Sequence, residues 1–223
     1  MMLCGHGKVE ELPRRQNDRT CALGDMPMNT DFQFDRDTHT FTHSGVVRPS
    51  ITQVLAIAGI VDFSFVEEER RTYYLKRGKS IHWLLQLEDE GALNYRSVPH
   101  SLRPYRKEYR AWKANSGFVP VLIEKPMMSP LGFCGIPDRF GKLGNGSAVV
   151  ELKTGAVSKW VGIQLAAQCM LLQPNMSLAR TIRRIGLSLG PSHYKVTEFP
   201  LSTFDRDTSI FIDALKKVAK NGY

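Results

Sequence analysis

Asp138, Glu151 and Lys153 are the residues whose types and spacing could do chemistry. They lie in "GIPDRFGKLGNGSAVVELKTG" (135–155), where an aspartate follows a proline and Glu-Leu-Lys closes an apolar run. Asn145-Gly146 between them is a strong hairpin signal. A turn centred there pairs residue numbers that sum to about 290, which sets Asp138 near Leu152 and within a residue of Glu151. Strand side chains alternate, so Glu151 and Lys153 point one way and Val150 and Leu152 the other. The run Ala148-Val149-Val150 predicts a strand buried on both faces, where an unpaired charge is expensive. A cation between the carboxylates removes that cost. Hard divalent ions such as Mg²⁺ take one or two carboxylates plus water and substrate phosphate. Such an ion lowers the pKa of a bound water, and Lys153 suits charge stabilisation or positioning of the attacking water. This is the equipment of phosphodiester hydrolysis. The plain alternative is an exposed hairpin with an ordinary salt bridge.

The elements that must position these residues are readable from periodicity. Residues 32–45 alternate as a short strand pair with a turn at Asp35 to Asp37. Pro49 and Ser50 start a helix with Ile51, Val54 and Leu55 on one face. Residues 66–93 form the longest helical stretch, with Gly78 marking a break, and 101–117 another, with Tyr105, Tyr109 and Trp112 as its core stripe. Strands are expected over 119–127, 132–143 and 147–155. A helix over 160–173 buries Ile163, Ala166, Ala167, Met170 and Leu171, while Gln164 and Gln168 at i, i+4 also suit a surface face. Two further strands and a closing amphipathic helix ending at Gly222 complete the chain. This order predicts an α/β fold, with a mixed central sheet flanked by helices.

The blocks together resemble the PD-(D/E)xK nuclease superfamily, in its RecB-like exonuclease branch, with phage-type and mitochondrial genome maintenance exonucleases as the nearest likeness. "PD", twelve residues, then "ELK" resembles the core motif. "GIQLAAQ" resembles the glutamine motif, "KRGKSIHWLL" the "RG…H" helix, "RPSITQVL" the opening block, and "IEKP" a carboxylate strand. The resemblance implies a restriction-endonuclease-like core and a Mg²⁺- or Mn²⁺-dependent deoxyribonuclease, an exonuclease in the first place. Its alternatives are a catalytically inactive nuclease-fold DNA-binding subunit and a structure-specific endonuclease. It implies His82, Asp138 and Glu151 as metal ligands, with the carbonyl of Leu152 added. Lys153 is then the catalytic lysine, Gln164 orients the site or contacts substrate, and Glu124 contributes a further carboxylate. Arg77 and Lys79 face DNA phosphates. Gln168 stands where many relatives carry a tyrosine and is placed with the DNA-binding residues. Iron–sulfur members need three cysteines near the C-terminus. This chain has none after Cys169, so no iron–sulfur cluster is expected.

Bulk composition agrees with a soluble nucleic-acid enzyme without naming one. The chain has 223 residues and a net charge of +8, which suits a polyanionic partner, here DNA, duplex or single-stranded. No apolar run approaches a membrane span. Cys4, Cys21, Cys134 and Cys169 form no C-x-x-C pair, against both a zinc ribbon and a disulfide framework. Residues 1–29 read as a poorly ordered leader without a hydrophobic signal region, and 30–223 as a single nuclease domain. A cytosolic site is the default. Glu10, Glu11, Asp18 and Asp25 count against a transit peptide, though an organellar site stays open. Arg180, Arg183 and Arg184 form a basic cluster that suits contact with backbone phosphate and an ordinary structural role equally well. Arg103, Arg106, Lys107 and Arg110 read as a solvated face. Nothing in the sequence indicates the oligomeric state.

Overall fold

The computed structural model describes residues 31–61 and 67–220; the expected leader and the expected helix end at Gly222 lie outside the described residues. The described residues open on three short antiparallel strands, β1 (Phe32–Asp35), β2 (Thr40–His43) and β3 (Val46–Arg48). The Asp35 carboxylate accepts from the N–H groups of Asp37 and Thr38 and so builds the first turn. Helix α1 (Ile51–Ile57) starts on a capping box. The Ser50 hydroxyl accepts from the Gln53 N–H, and the Gln53 side chain accepts from the Ser50 N–H.

Helix α2 (Glu68–Asp89) runs for 22 residues straight through Gly78, where a break was expected. Glycine costs a helix interior about 1 kcal/mol. Full burial of Ile81, Leu84 and Leu85 just beyond it contributes roughly 1.5–3 kcal/mol each, so packing wins. Helix α3 (Arg103–Ser116) ends at Gly117 in the left-handed region, and its Tyr105, Tyr109 and Trp112 are buried as the period predicts.

The meander differs from expectation at its joints. β4 (Val119–Ile123) stops at Glu124, whose φ of 47° is left-handed. β5 (Met127–Met128) and β6 (Cys134–Gly135) pair with each other as a separate small sheet. Asp138 then precedes β7 (Arg139–Leu143). Pro126 and Pro137 sit where the two expected strands divide, because proline cannot donate to a ladder. β7 pairs with β8 (Gly146–Lys153), Leu143 opposite Gly146. The turn is therefore Gly144-Asn145, one residue earlier than expected. Gly144 takes φ 60° and Asn145 does not follow it, the pattern of a II′ turn. Extending this ladder sets Asp138 across from Glu151. Gly141 is required here: a Cβ would stand 2.1 Å from the Val119 carbonyl oxygen, where the bulged β4 closes on β7.

Helix α4 (Val161–Leu172), the short α5 (Met176–Ala179), β9 (Arg183–Leu189), β10 (Tyr194–Phe199) and α6 (Phe204–Lys220) follow. The five-stranded sheet has the order β10-β9-β8-β7-β4, parallel between β8 and β9 and antiparallel elsewhere. A parallel pair needs a crossover, which α4 supplies. The fold is α/β with a mixed central sheet flanked by helices. Ala148, Val150 and Leu152 pack against α2 and α3, among them Ile81, Leu84, Tyr109 and Trp112. Val149 packs the other way, against Val161, Leu165 and Ala166 of α4. Helix α4 is buried on every side from Val161 to Leu171, which the continuous apolar character of the helix accounts for. The surface reading of Gln164 and Gln168 is thereby corrected. Cys134 and Cys169 are free and buried, and burial pushes both thiols up to about 12, leaving them protonated.

Of the two readings of the arginine cluster at 180–184, the ion pairs favour the structural one. Arg180 pairs with Asp205 and Arg183 with Glu198. Arg184 is fully buried, donating to Asp207, the Gly162 and Pro200 carbonyls and the Thr203 hydroxyl. This network joins β9 to α6. Asp207→Ala leaves a buried guanidinium without its carboxylate, and is expected to lower stability in urea by about 3–5 kcal/mol. Burial alone would raise the Asp207 carboxyl, but Arg184, Arg206 and Thr203 outweigh it and hold the group below its ordinary 3.8. Its contribution is therefore complete above that value and drains away as pH falls through the lower folded one, an acid-side loss that Asp207→Asn removes.

Candidate metal centre

The site forms at the C-terminal end of β8, where three elements end or begin. Helix α2 brings His82, the end of β4 brings Glu124, and the residue before β7 is Asp138. One ligand atom from each lies within 4.8 Å of the other two. His82 Nδ1 is 3.4 Å from Asp138 Oδ1 and 3.5 Å from Glu124 Oε1. Its other ring nitrogen, Nε2, is 3.2 Å from the Leu152 carbonyl oxygen. An Nε2–H donated to that carbonyl leaves Nδ1 as the coordinating nitrogen, and so selects the tautomer. Burial would push the His82 imidazolium down, but the carboxylates of Asp138 and Glu124 outweigh it and hold the ring well above its usual range.

Each carboxylate is aimed by the backbone. Asp138 Oδ2 accepts from the Leu152 N–H at 2.7 Å, which ties it to β8. Glu124 owes its direction to its left-handed φ, a conformation that costs a non-glycine residue of order 1–3 kcal/mol. Its N–H donates to the Asp138 carbonyl. Arg139 holds both groups from behind. It is fully buried, and its Nη1 donates to the Asp138 carbonyl at 2.5 Å and to Glu124 at 3.2 Å. Its Nε donates to Asp89 at 2.7 Å, and Asp89 also takes Tyr109 Oη and Lys113 Nζ.

Glu151 stands apart from the three-residue set. Its carboxylate takes Lys153 Nζ at 2.7 Å on one oxygen and Gln168 Nε2 at 2.8 Å on the other. The strand alternation turns Glu151 and Lys153 towards α4 while Leu152 faces α2. Lys153 links the two groups: burial pulls its ammonium down, and the charges of Glu151 and Asp138 outweigh that and raise it. It also lies 5.0 Å from the centre of the Trp160 ring.

The expected site residues thus fall into two adjoining clusters, His82 with Asp138, Glu124 and Leu152, and Glu151 with Lys153 and Gln168. The Leu152 carbonyl, expected at a metal, faces the His82 ring. Gln168, expected towards DNA, is 2% exposed and spends its amide on Glu151; its depth on α4 removes it from the surface. Gln164, one turn earlier, is buried with its Oε1 unpartnered. Arg77 is half-buried. It donates to the Thr154 carbonyl just past β8 and lies against the Tyr73, Tyr74 and Tyr105 rings. Lys79 is exposed. The residues that sequence reasoning passed over are Arg139 and Asp89. Arg139, Gly141 and Leu143 share the buried side of β7, so alternation did mark an arginine that must find a carboxylate inside. Nothing in the spacing paired it with Asp89, 50 residues earlier.

No protein-family model matches the chain, and no curated protein does. Among solved structures it is similar to an alkaline exonuclease (LHK-Exo) from Laribacter hongkongensis, at 13% identity and TM-score 0.32 over 78% of this chain and 90% of that one. LHK-Exo in complex with dAMP matches at 11% identity and TM-score 0.26, over the same shares. The protein SSO0001 matches at 17% identity and TM-score 0.28, over 59% of this chain and 70% of that one. Likeness this shallow bears no functional conclusion, which has to come from the site.

The residues present fit a divalent cation. Two carboxylates and an imidazole converge within ligand distance of one another; Arg139 reaches the same Glu124 oxygen from behind at 3.2 Å, and Lys153 is spent on Glu151. An oxygen-rich set with one histidine nitrogen suits Mg²⁺- or Mn²⁺-class ions over soft thiolate-loving metals. No described helix is long and apolar enough to cross a membrane.

Proposed function

We propose that this chain is a divalent-metal-dependent deoxyribonuclease of the PD-(D/E)xK type, RecB-like branch, on a restriction-endonuclease-like core, and that it acts as an exonuclease. The observation that carries the reading is the convergence of His82, Glu124 and Asp138 beside the Glu151–Lys153 pair, at the end of a strand buried on both faces. Arg139 offsets part of the charge of Glu124, and both carboxylates face the His82 ring.

His82, Asp138 and Glu124 would hold the cation, with Glu151 close enough to Lys153 to exchange its ammonium partner for it. When bound, a divalent cation supplies Lewis acidity and charge neutralisation for phosphodiester hydrolysis. Lys153 contributes a fixed positive charge where negative charge gathers on phosphate oxygens. Gln168 keeps the Glu151 carboxylate oriented, and the unpartnered Gln164 Oε1 is available to an ordered water or substrate group. Arg77 and Lys79, at the rim, serve the phosphates of the incoming strand.

Digestion of end-labelled duplex and single-stranded DNA with Mg²⁺, Mn²⁺ or EDTA tests this. The expected result is metal-dependent release of nucleotides from linear DNA, with covalently closed circles left intact. Cutting of closed circles would replace the exonuclease with an endonuclease. Binding without cutting under every metal would leave the inactive DNA-binding subunit, which the displacement of Glu151 from the three-residue set favours.

A further inference from the structure

A second charged feature lies away from the metal centre. Arg103, Arg106, Lys107 and Arg110 recur at i, i+3, i+4 and i+7 on α3, opposite its buried Tyr105, Tyr109 and Trp112. With Tyr95 and His100 they line a groove of about 550 Å³. The sequence suggested a solvated face, but such faces intersperse the two signs. Here like charges stand at i, i+4 twice, an arrangement that opposes folding by a few tenths of a kcal/mol per pair.

The neutralisation available is small. Glu88 takes Arg106 through two bonds, at 2.7 and 3.0 Å, and lies 3.6 Å from Arg110. Lys107 makes no ion pair among the described residues. Arg103 donates to the Val98 carbonyl, and the Arg103 and Arg106 guanidiniums lie 5.2 and 4.8 Å from the centre of the Tyr95 ring. Two of the four cations are therefore anchored at fixed positions, and Lys107 and Arg110 are exposed beside them.

We propose that this groove binds the phosphodiester backbone of one DNA strand outside the metal centre. The identity of the polyanion rests on the nuclease reading above. The row from Arg103 to Arg110 rises by about 10 Å, enough to meet two phosphates of a strand. A groove of this volume suits a drug-sized group, here one or two nucleotides, and is too small to seat a duplex. Tyr95 is occupied by guanidiniums, so recognition is of backbone charge and independent of sequence. Glu88, which shares the groove's arginines, lies six residues along α2 from His82, about 9 Å by helix rise. The groove therefore holds a strand away from the point of cutting.

The test is fluorescence anisotropy of labelled single-stranded and duplex oligonucleotides in EDTA, over a series of salt concentrations, for wild type and Lys107→Ala/Arg110→Ala. Both side chains are exposed and leave the Arg106–Glu88 pair in place, and an unchanged urea midpoint verifies the fold. The expected result is weaker single-strand binding, with the slope of log K on log salt shallower by about 1.4, from about 0.7 per phosphate contact. An unchanged slope and affinity, an effect confined to duplex, or a wild type that binds no single strand would each overturn the proposal. Cleavage by wild type alongside an unaltered double variant would sink the groove and leave the nuclease. Weakened binding in a protein that cuts nothing would do the reverse.

Discussion

Lys153→Ala is expected to slow phosphodiester hydrolysis by about 10²–10³-fold, the loss that follows removal of one preorganised charge-stabilising group. The Lys153 ammonium is 2.7 Å from Glu151, and its side chain is one-quarter exposed, so it can reach both the buried carboxylate and an entering phosphate. The charges of Glu151 and Asp138 outweigh its burial and keep it protonated. It therefore acts as a cation and not as a proton acceptor. Single-turnover cleavage of end-labelled DNA measures the effect, and anisotropy in EDTA separates it from binding. Lys153→Arg keeps the charge but spreads it over a planar fork, and partial recovery is expected. The substitution also leaves Glu151 buried with Gln168 alone, so the urea midpoint of each variant has to accompany its rate. An undiminished rate in Lys153→Ala would remove this lysine from the chemistry.

Arg139→Met should cost about 3–5 kcal/mol of stability and weaken metal binding together, because one side chain serves both. Methionine fills a similar volume without the charge. It leaves Asp89 with Tyr109 and Lys113, while Glu124 and the Asp138 carbonyl lose the donor that holds them. Burial opposes the Arg139 charge, and Glu124 and Asp89 with the Tyr109 site outweigh that opposition. Urea unfolding reads the first effect and calorimetric titration with Mn²⁺ the second. Arg139→Lys restores the charge but not the two-directional fork, so it should recover part of the stability and little of the metal affinity. If metal affinity is unchanged in a folded Arg139→Met protein, Arg139 is structural only, and the aim of Glu124 comes from its backbone alone.

Much of the fold was legible because its periodicities are local. The stripe Tyr105, Tyr109 and Trp112 marked α3, and Ala148-Val149-Val150 marked a strand buried on both faces. What local signals misjudged were the joints. Asn145-Gly146 is the stronger turn dipeptide, yet the hairpin turns on Gly144-Asn145, because pairing along the whole of β7 and β8 decides the register over one dipeptide's preference. Gly78 read as a helix break until the packing of Ile81, Leu84 and Leu85 outweighed it.

The candidate site divides in the same way. The sequence by itself determined the residue types, the order of the blocks, and that one hairpin sets Asp138 beside Leu152 and Glu151 in register. Only the tertiary structure decided how the carboxylates group. The left-handed turn at Glu124 swings its side chain to His82, and the Leu152 N–H draws Asp138 the same way, while alternation commits Glu151 and Lys153 to α4. Tertiary packing also decided which arginines are free. Arg139 and Arg184 are enclosed by carboxylates from distant segments, Arg106 of the α3 row is held by Glu88 of α2, and Lys107 beside it makes no ion pair among the described residues. A charge's partner is set by three-dimensional proximity across 50 residues or so of chain, and no spacing along the chain encodes it.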